Sequence, residues 1–232
     1  MFKHLLAKMG LGSVDTVPAH SPVSNHGPYA EAHVNFLYDL LFCDNLELFR
    51  SENSDAREEP WLTLLAAHPP EAALRRLADG WSDESRVRAL AFNRLREMGA
   101  KVAPKILLGV IVEVPLRQGL DVLAAYADGR VRYLNQTGRV SIFEGGPVIV
   151  ETLARELVVT ALPLVQRIGP WDGARPPAPR AGRVRMTLLV SDGLYFGEGP
   201  YEDLRLDALG GPVLGKATEL LNAVVDAALN AR

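Results

Sequence analysis

The stretch 105–143 constrains the fold of this chain more than any other. It opens on an almost unbroken apolar run, Ile106-Leu107-Leu108-Gly109-Val110-Ile111-Val112. Aliphatic and β-branched residues without polar alternation, bounded by turn residues, predict a strand covered on both faces. Asp128-Gly129 separates two further strand-like runs, 121–127 and 130–135. That dipeptide predicts a tight hairpin, because both of its residues tolerate positive φ. Gln136-Thr137-Gly138 then turns the chain into Val140–Phe143. The result is a sheet meander with an apolar surface that other elements must cover.

Helical patterns lie on both sides of the meander. Residues 1–27, with Gly10, Gly12, Pro18, Pro22 and Gly27 among small polar residues, predict a flexible lead-in. From 28 to 99 the period becomes helical. Ala30, Val34, Leu37 and Leu41 share a stripe, as do Val87, Leu90, Ala91, Leu95 and Met98. Between them, 51–59 is a polar, acidic loop. Pro60 and Pro70 suit helix starts, and Gly80 and Gly99 suit helix ends. Ser82 is the expected cap of the helix near 84–98, with Asp83 and Glu84 favoured by its positive end.

After the meander, 147–168 reads as a long helix with Ile149, Leu153, Leu157, Ala161, Leu164 and Ile168 on one face, and Pro163 as its weak point. A proline-rich loop follows over 171–182. Val184 to Val190 reads as a strand, Asp192-Gly193 as a turn into Leu194-Tyr195-Phe196, and the stretch after it as a Gly-rich acidic loop. The chain closes on a helix over 212–229. The predicted fold is α+β: a helical N-terminal region (28–99), then an antiparallel sheet of five to six strands (within 100–232) with two long helices on one face. In its order of elements alone the second half resembles the roadblock, longin and profilin type of regulatory module, a likeness of architecture.

Composition narrows the function. A chain of 232 residues with 48% hydrophobic residues has room for a real core in one or two domains. The net charge of −3 argues against nucleic acid. No apolar run reaches the ~20 residues of a membrane helix. The apolar stretch at the start is too short for a secretory signal, and Cys43 is the only cysteine, so a cytoplasmic location is expected. All five histidines precede residue 69, which leaves the sheet region without imidazole or thiol. It cannot by itself build a Ser-His-Asp triad, a Cys-His pair or a zinc site. Neither a metal nor another cofactor is expected, and Cys43, at a helix end, reads as a buried structural thiol.

Two groups of residues are site candidates. Within 191–200, Asp192, Gly193, Tyr195, Phe196 and Glu198 combine close backbone approach, two aromatics and two carboxylates, the ingredients of a small-ligand pocket or of acid–base chemistry. The plain alternative is a hairpin turn with both aromatics in the core. Arg130 and Arg132, with Arg183 and Arg185, alternate with apolar neighbours. If their strands are adjacent, they make a basic strip for an acidic partner or phosphorylated ligand; otherwise they are a solvated face. Asn135-Gln136-Thr137 fits a glycosylation sequon and reads as a turn. Together these features predict a non-catalytic binding or regulatory module for a protein partner or small molecule. The alternative is a carboxylate-dependent enzyme centred on 191–200. The sequence leaves the oligomeric state open.

Overall fold

The computed structural model describes residues 27–50, 53, 57–80 and 84–230, and at its centre the apolar run becomes strand β1 (Leu107–Leu116). Residues 1–26 of the predicted lead-in, most of the acidic loop 51–59, and Ser82 and Asp83 lie outside the described residues. β1 pairs antiparallel with β2 (Gly119–Tyr126) on one side and with β5 (Arg183–Val190) on the other. β3 (Val131–Leu134) and β4 (Val140–Phe143) extend the sheet beyond β2, and β6 (Gly193–Pro200) extends it beyond β5. The six-stranded antiparallel order is β4-β3-β2-β1-β5-β6.

Alternation along the strands divides the interior in two. Val110, Val112, Leu123, Ala125, Val131, Tyr133, Met186 and Leu188 face the long helices α6 (Val148–Arg167) and α8 (Gly210–Asn230). Those helices bury Leu157, Ala161, Val165, Val213, Leu220 and Val224 against them. A short helix, α7 (Tyr201–Leu206), links β6 to α8. Both long helices thus cover one face, as the sequence predicts.

The opposite face carries Leu108, Ile111, Val122, Ala124, Tyr126 and Leu189. It is covered by the N-terminal helices α1 (Ala32–Leu40), α2 (Glu47–Arg50), α3 (Trp61–Leu64), α4 (Glu71–Asp79) and α5 (Ser85–Glu97). The helical region and the sheet therefore share an interior. Each fully buried large aliphatic contributes about 1.5–3 kcal/mol before chain entropy is charged.

Local chemistry explains the element ends. Gly99 closes α5 at φ +75°, with Gly99 N–H bonded to the Arg96 carbonyl and Ala100 N–H to that of Leu95, the paired bonds of a Schellman motif. At the other end of α5 the N–H of Ser85 donates to the Asp128 carboxylate at 2.6 Å, and the Ser85 hydroxyl accepts from Asp128 N–H at 3.0 Å. The hairpin turn thus satisfies a helix start forty-three residues away in sequence. Asn135 accepts from Thr137 N–H and Arg139 N–H, which folds the sequon as a side-chain-stabilised turn. Pro163 lies on the exposed side of α6, which continues past it to Arg167.

One reading of the sequence is corrected here. Gly197-Glu198-Gly199-Pro200, expected as a loop, completes β6, because every residue of β5 from Arg183 to Val190 finds a partner there. Pro200 is tolerated because it ends an edge strand.

Two interior groups give measurable consequences. Cys43 is 0% exposed, with burial pushing its thiol up to about 12. Labelling by a thiol reagent at neutral pH is therefore expected to proceed only as fast as the native protein opens, becoming rapid and stoichiometric on unfolding. Asp121 accepts from Gln136 N–H at 2.7 Å and from the Tyr133 hydroxyl at 3.1 Å, yet burial raises it to about 6. The folded chain holds this proton more tightly than the unfolded one, so the stabilisation is complete below about pH 4 and is lost as pH rises through about 6. Relative to Asp121→Asn, the native protein is expected to gain roughly 2 kcal/mol between about pH 7 and pH 4 in denaturant unfolding. A pH-independent difference between the two would contradict this.

Candidate functional site

The richest concavity among the described residues lies where the helical layer meets the end of the sheet. It is a cleft of about 540 Å³, lined by five separate segments. The end of α1 supplies Asp39, the turn into α2 and α2 itself supply Asp44, Asn45 and Leu48, and α5 supplies Arg96. The loop after α6 supplies residues 170–175, and the β5–β6 turn supplies Asp192, Gly193 and Leu194.

The wall containing Trp171 is fixed by backbone. Trp171 N–H donates to the Leu194 carbonyl at 2.8 Å, so the chain leaving α6 runs against the start of β6. Gly193 makes this approach possible: its φ is +149°, and a Cβ there would meet the Pro170 side chain at 3.0 Å. Trp171 meets Phe196 edge-on at 6.0 Å and bonds through its indole N–H to Ala174, while staying 53% exposed.

The opposite wall is held by Arg175. Its guanidinium reaches Asp39 at 2.6 Å and Asp44 at 2.8 Å, and lies 3.9 Å from the centre of the Phe42 ring. Burial lowers its proton affinity, but Asp44 and Asp39 outweigh burial, and the net effect is upward. Arg96 spans the floor, donating to the Ser191 carbonyl at 2.7 Å and to the Asn93 side chain. Burial holds it below the usual arginine range. Asp192 accepts from the Tyr195 hydroxyl at 3.0 Å and from Lys105 N–H at 3.3 Å. Burial and this carboxylate push the tyrosine up to about 12.

The 191–200 candidates are therefore divided. Asp192 and Gly193 line the cleft, Tyr195 is buried beneath α6 and α8, and Phe196 stands behind Trp171. Glu198 sits further along extended β6, bonded to Arg183 at 2.7 Å and to Arg185 at 2.7 Å. Burial raises its proton affinity, and the two guanidiniums more than reverse that. The two carboxylates of the candidate acid–base pair thus serve different surroundings.

The four arginines of the second group are likewise split. β2 and β1 lie between β3 and β5, so Arg130 and Arg132 form no continuous strip with Arg183 and Arg185. Arg130 and Arg132 pair with Glu144, and Arg130 also pairs with Asp128. Arg185 is the middle of a cross-strand row Glu113–Arg185–Glu198. Glu113 is fully buried on β1, with burial raising its proton affinity against the Tyr38 hydroxyl bonded at 2.6 Å. Arg185 also holds the carbonyls of Pro176 and Pro177, at 3.1 and 2.7 Å, pinning the proline-rich loop to the sheet.

Trp171, Asp172, Arg175, Arg96, Asp39 and Asp44 were not candidates in the sequence. The available signal was an aromatic residue placed in a loop rich in Gly and Pro. Among the described residues, no three His, Cys, Asp or Glu side chains gather to hold a metal, and no helix is long and apolar enough to cross a membrane. No family model, curated protein or solved structure matches the chain.

Arg175 joins three parts of the cleft, which makes it the sharpest structural test. Arg175→Ala leaves Asp39 and Asp44 without their partner and uncovers the Phe42 ring. The expected cost is roughly 1–3 kcal/mol in denaturant unfolding, with faster proteolytic cleavage within 169–182. Unchanged stability and unchanged cleavage would remove Arg175 from this role.

Proposed function

We propose that this protein acts by binding, and that the cleft beside Trp171 receives a positively charged group from a partner protein or a small amine. The observation that carries this is the lining. Four carboxylates (Asp39, Asp44, Asp172 and Asp192) face two guanidiniums, with a half-exposed indole at the edge. Arg175 is paired with Asp39 and Asp44, and Arg96 is committed to the Ser191 carbonyl, so Asp172 and Asp192 leave the lining net negative, which favours a cation. An indole face adds cation–π attraction of about 0.5–2 kcal/mol.

A binding role also agrees with where the altered carboxylates lie. Glu113 and Asp121, both raised by burial, are interior groups that hold strands and turns, and neither lines the cleft. Asp192 closes the β5–β6 turn, and Glu198 balances two arginines.

Isothermal titration with two probes tests the proposal: spermidine, and a short arginine- and lysine-containing peptide. Binding of at least one is expected, weakening with added salt and falling at least tenfold in Trp171→Ala and in Asp172→Asn. Preference for the peptide assigns a protein partner, and preference for spermidine a small amine. Failure of both probes, or binding that Trp171→Ala leaves unchanged, would overturn the reading.

A further inference from the structure

The last turns of α8 run over the end of the β3–β4 hairpin and enclose a second cavity there, of about 250 Å³. The sheet forms one wall. Tyr133 and Ser141 are opposed on β3 and β4, and Asn135 N–H donates to the Arg139 carbonyl at 2.9 Å, which sets the next two residues against each other. Opposed residues of an antiparallel pair share a face, and so do alternate residues of one strand. Tyr133, Asn135, Arg139 and Ser141 therefore line the cavity together, from the face of the sheet that carries the long helices. α8 forms the other wall with Val224, Val225, Ala228 and Leu229.

The polar wall offers donors. Asn135 is only 9% exposed, and its Oδ1 accepts from Thr137 N–H, the Thr137 hydroxyl and Arg139 N–H at 3.0, 2.8 and 2.9 Å. Those three bonds fix the orientation of the side-chain amide, and its NH2 group has no acceptor among the described residues. An amide buried to this extent ordinarily finds one. The Arg139 guanidinium and the Ser141 hydroxyl also have no partner among the described residues. Arg139 differs in this from Arg132, Arg183 and Arg185, which all pair with carboxylates. No acidic side chain lines the cavity. Asp121 lies behind Tyr133, where the Tyr133 hydroxyl and Gln136 N–H occupy it.

We infer that this cavity is a binding site for a small carboxylate with a short apolar tail. Arg139, the Asn135 NH2 group and the Ser141 hydroxyl receive the carboxylate, and the four side chains of α8 receive the tail. A guanidinium presents a planar fork that matches a carboxylate, and its single charge balances a single negative one. The direction of binding follows from α8 as well. The C-terminal end of a helix is partly negative, which keeps the carboxylate on the sheet side and leaves the apolar side chains of α8 to the tail. The volume is below the ~300–1,000 Å³ of sites for drug-sized ligands, which limits the tail to a few carbons.

Isothermal titration of the full chain with hexanoate tests this. Saturable binding is expected with a Kd below about 1 mM, within the per-atom limit for a ligand of this size. Hexylamine, of the same length and opposite charge, is expected not to bind. Arg139→Gln should weaken hexanoate at least tenfold with unchanged thermal unfolding, because the Arg139 side chain has no protein contact of this kind to lose. Ala228→Leu, which puts a larger side chain into the cavity, should weaken it by a similar factor. Three results would each overturn the inference: no saturable binding of hexanoate, hexylamine bound as tightly, or Arg139→Gln binding as tightly as the native chain. Butyl phosphate bound more tightly than hexanoate would overturn the assignment to a carboxylate.

Discussion

The structure depends on the burial of both faces of β1. A strand with Val110 and Val112 on one side and Leu108 and Ile111 on the other cannot lie at a surface, so each side requires its own layer. α6 and α8 supply one and the five N-terminal helices the other. The helical region is in this sense half of the sheet's cover. Neither the sheet nor those helices has a complete interior alone, since Leu64, Leu74, Leu90 and Phe92 find their partners in the sheet's second face. Polar seams tie the two together: Tyr29 O–H to the Leu120 carbonyl, Tyr126 O–H to the Leu41 carbonyl, and Tyr38 O–H to Glu113.

Glu113 is the exception within this apolar strand, and much of the neighbouring structure answers to it. A buried carboxylate without partners costs several kcal/mol, and removing one member of a buried ion pair is correspondingly damaging. Arg185 lies opposite Glu113 on β5, Glu198 lies opposite Arg185 on β6, and Tyr38 closes the group from α1. The surplus donors of Arg185 then take the carbonyls of Pro176 and Pro177. One buried charge on the central strand thus orders an edge strand and a loop that has little periodic structure of its own. The same logic explains why arginines that alternate with apolar residues in sequence offer no free basic face.

How much of this was readable in advance follows from the range of each interaction. The strands, the Asp128-Gly129 and Asp192-Gly193 turns, and the amphipathic stripe of α8 are local patterns, and the sequence shows them directly; the stripe of α6 is shifted at its start, where Ile149, expected inward, is 56% exposed and Val150 and Ala154 are buried instead. The last four residues of β6 do not have strand composition; they are extended because β5 offers eight consecutive partners. The contact of Asp128 with the start of α5 depends on folding that brings a hairpin to a distant helix. The cleft is less legible still. Asp39, Arg96, Trp171 and Asp192 are spread over more than half the chain, and no spacing rule connects them. The glycine-rich acidic stretch pointed to the correct turn, but not to the loop that faces it.

The cleft is tied to the end of α6 by a short length of chain. α6 ends at Arg167, and Gly169-Pro170 leads at once to Trp171, whose N–H is fixed to Leu194. Lys105 also holds the Gln166 carbonyl at the end of α6, at 3.1 Å, and its own N–H is bonded to Asp192 in the cleft. The end of α6 and the wall of the cleft are therefore connected twice, along the chain and through Lys105. A packed helix moves as a body, because its buried side chains interlock with the sheet.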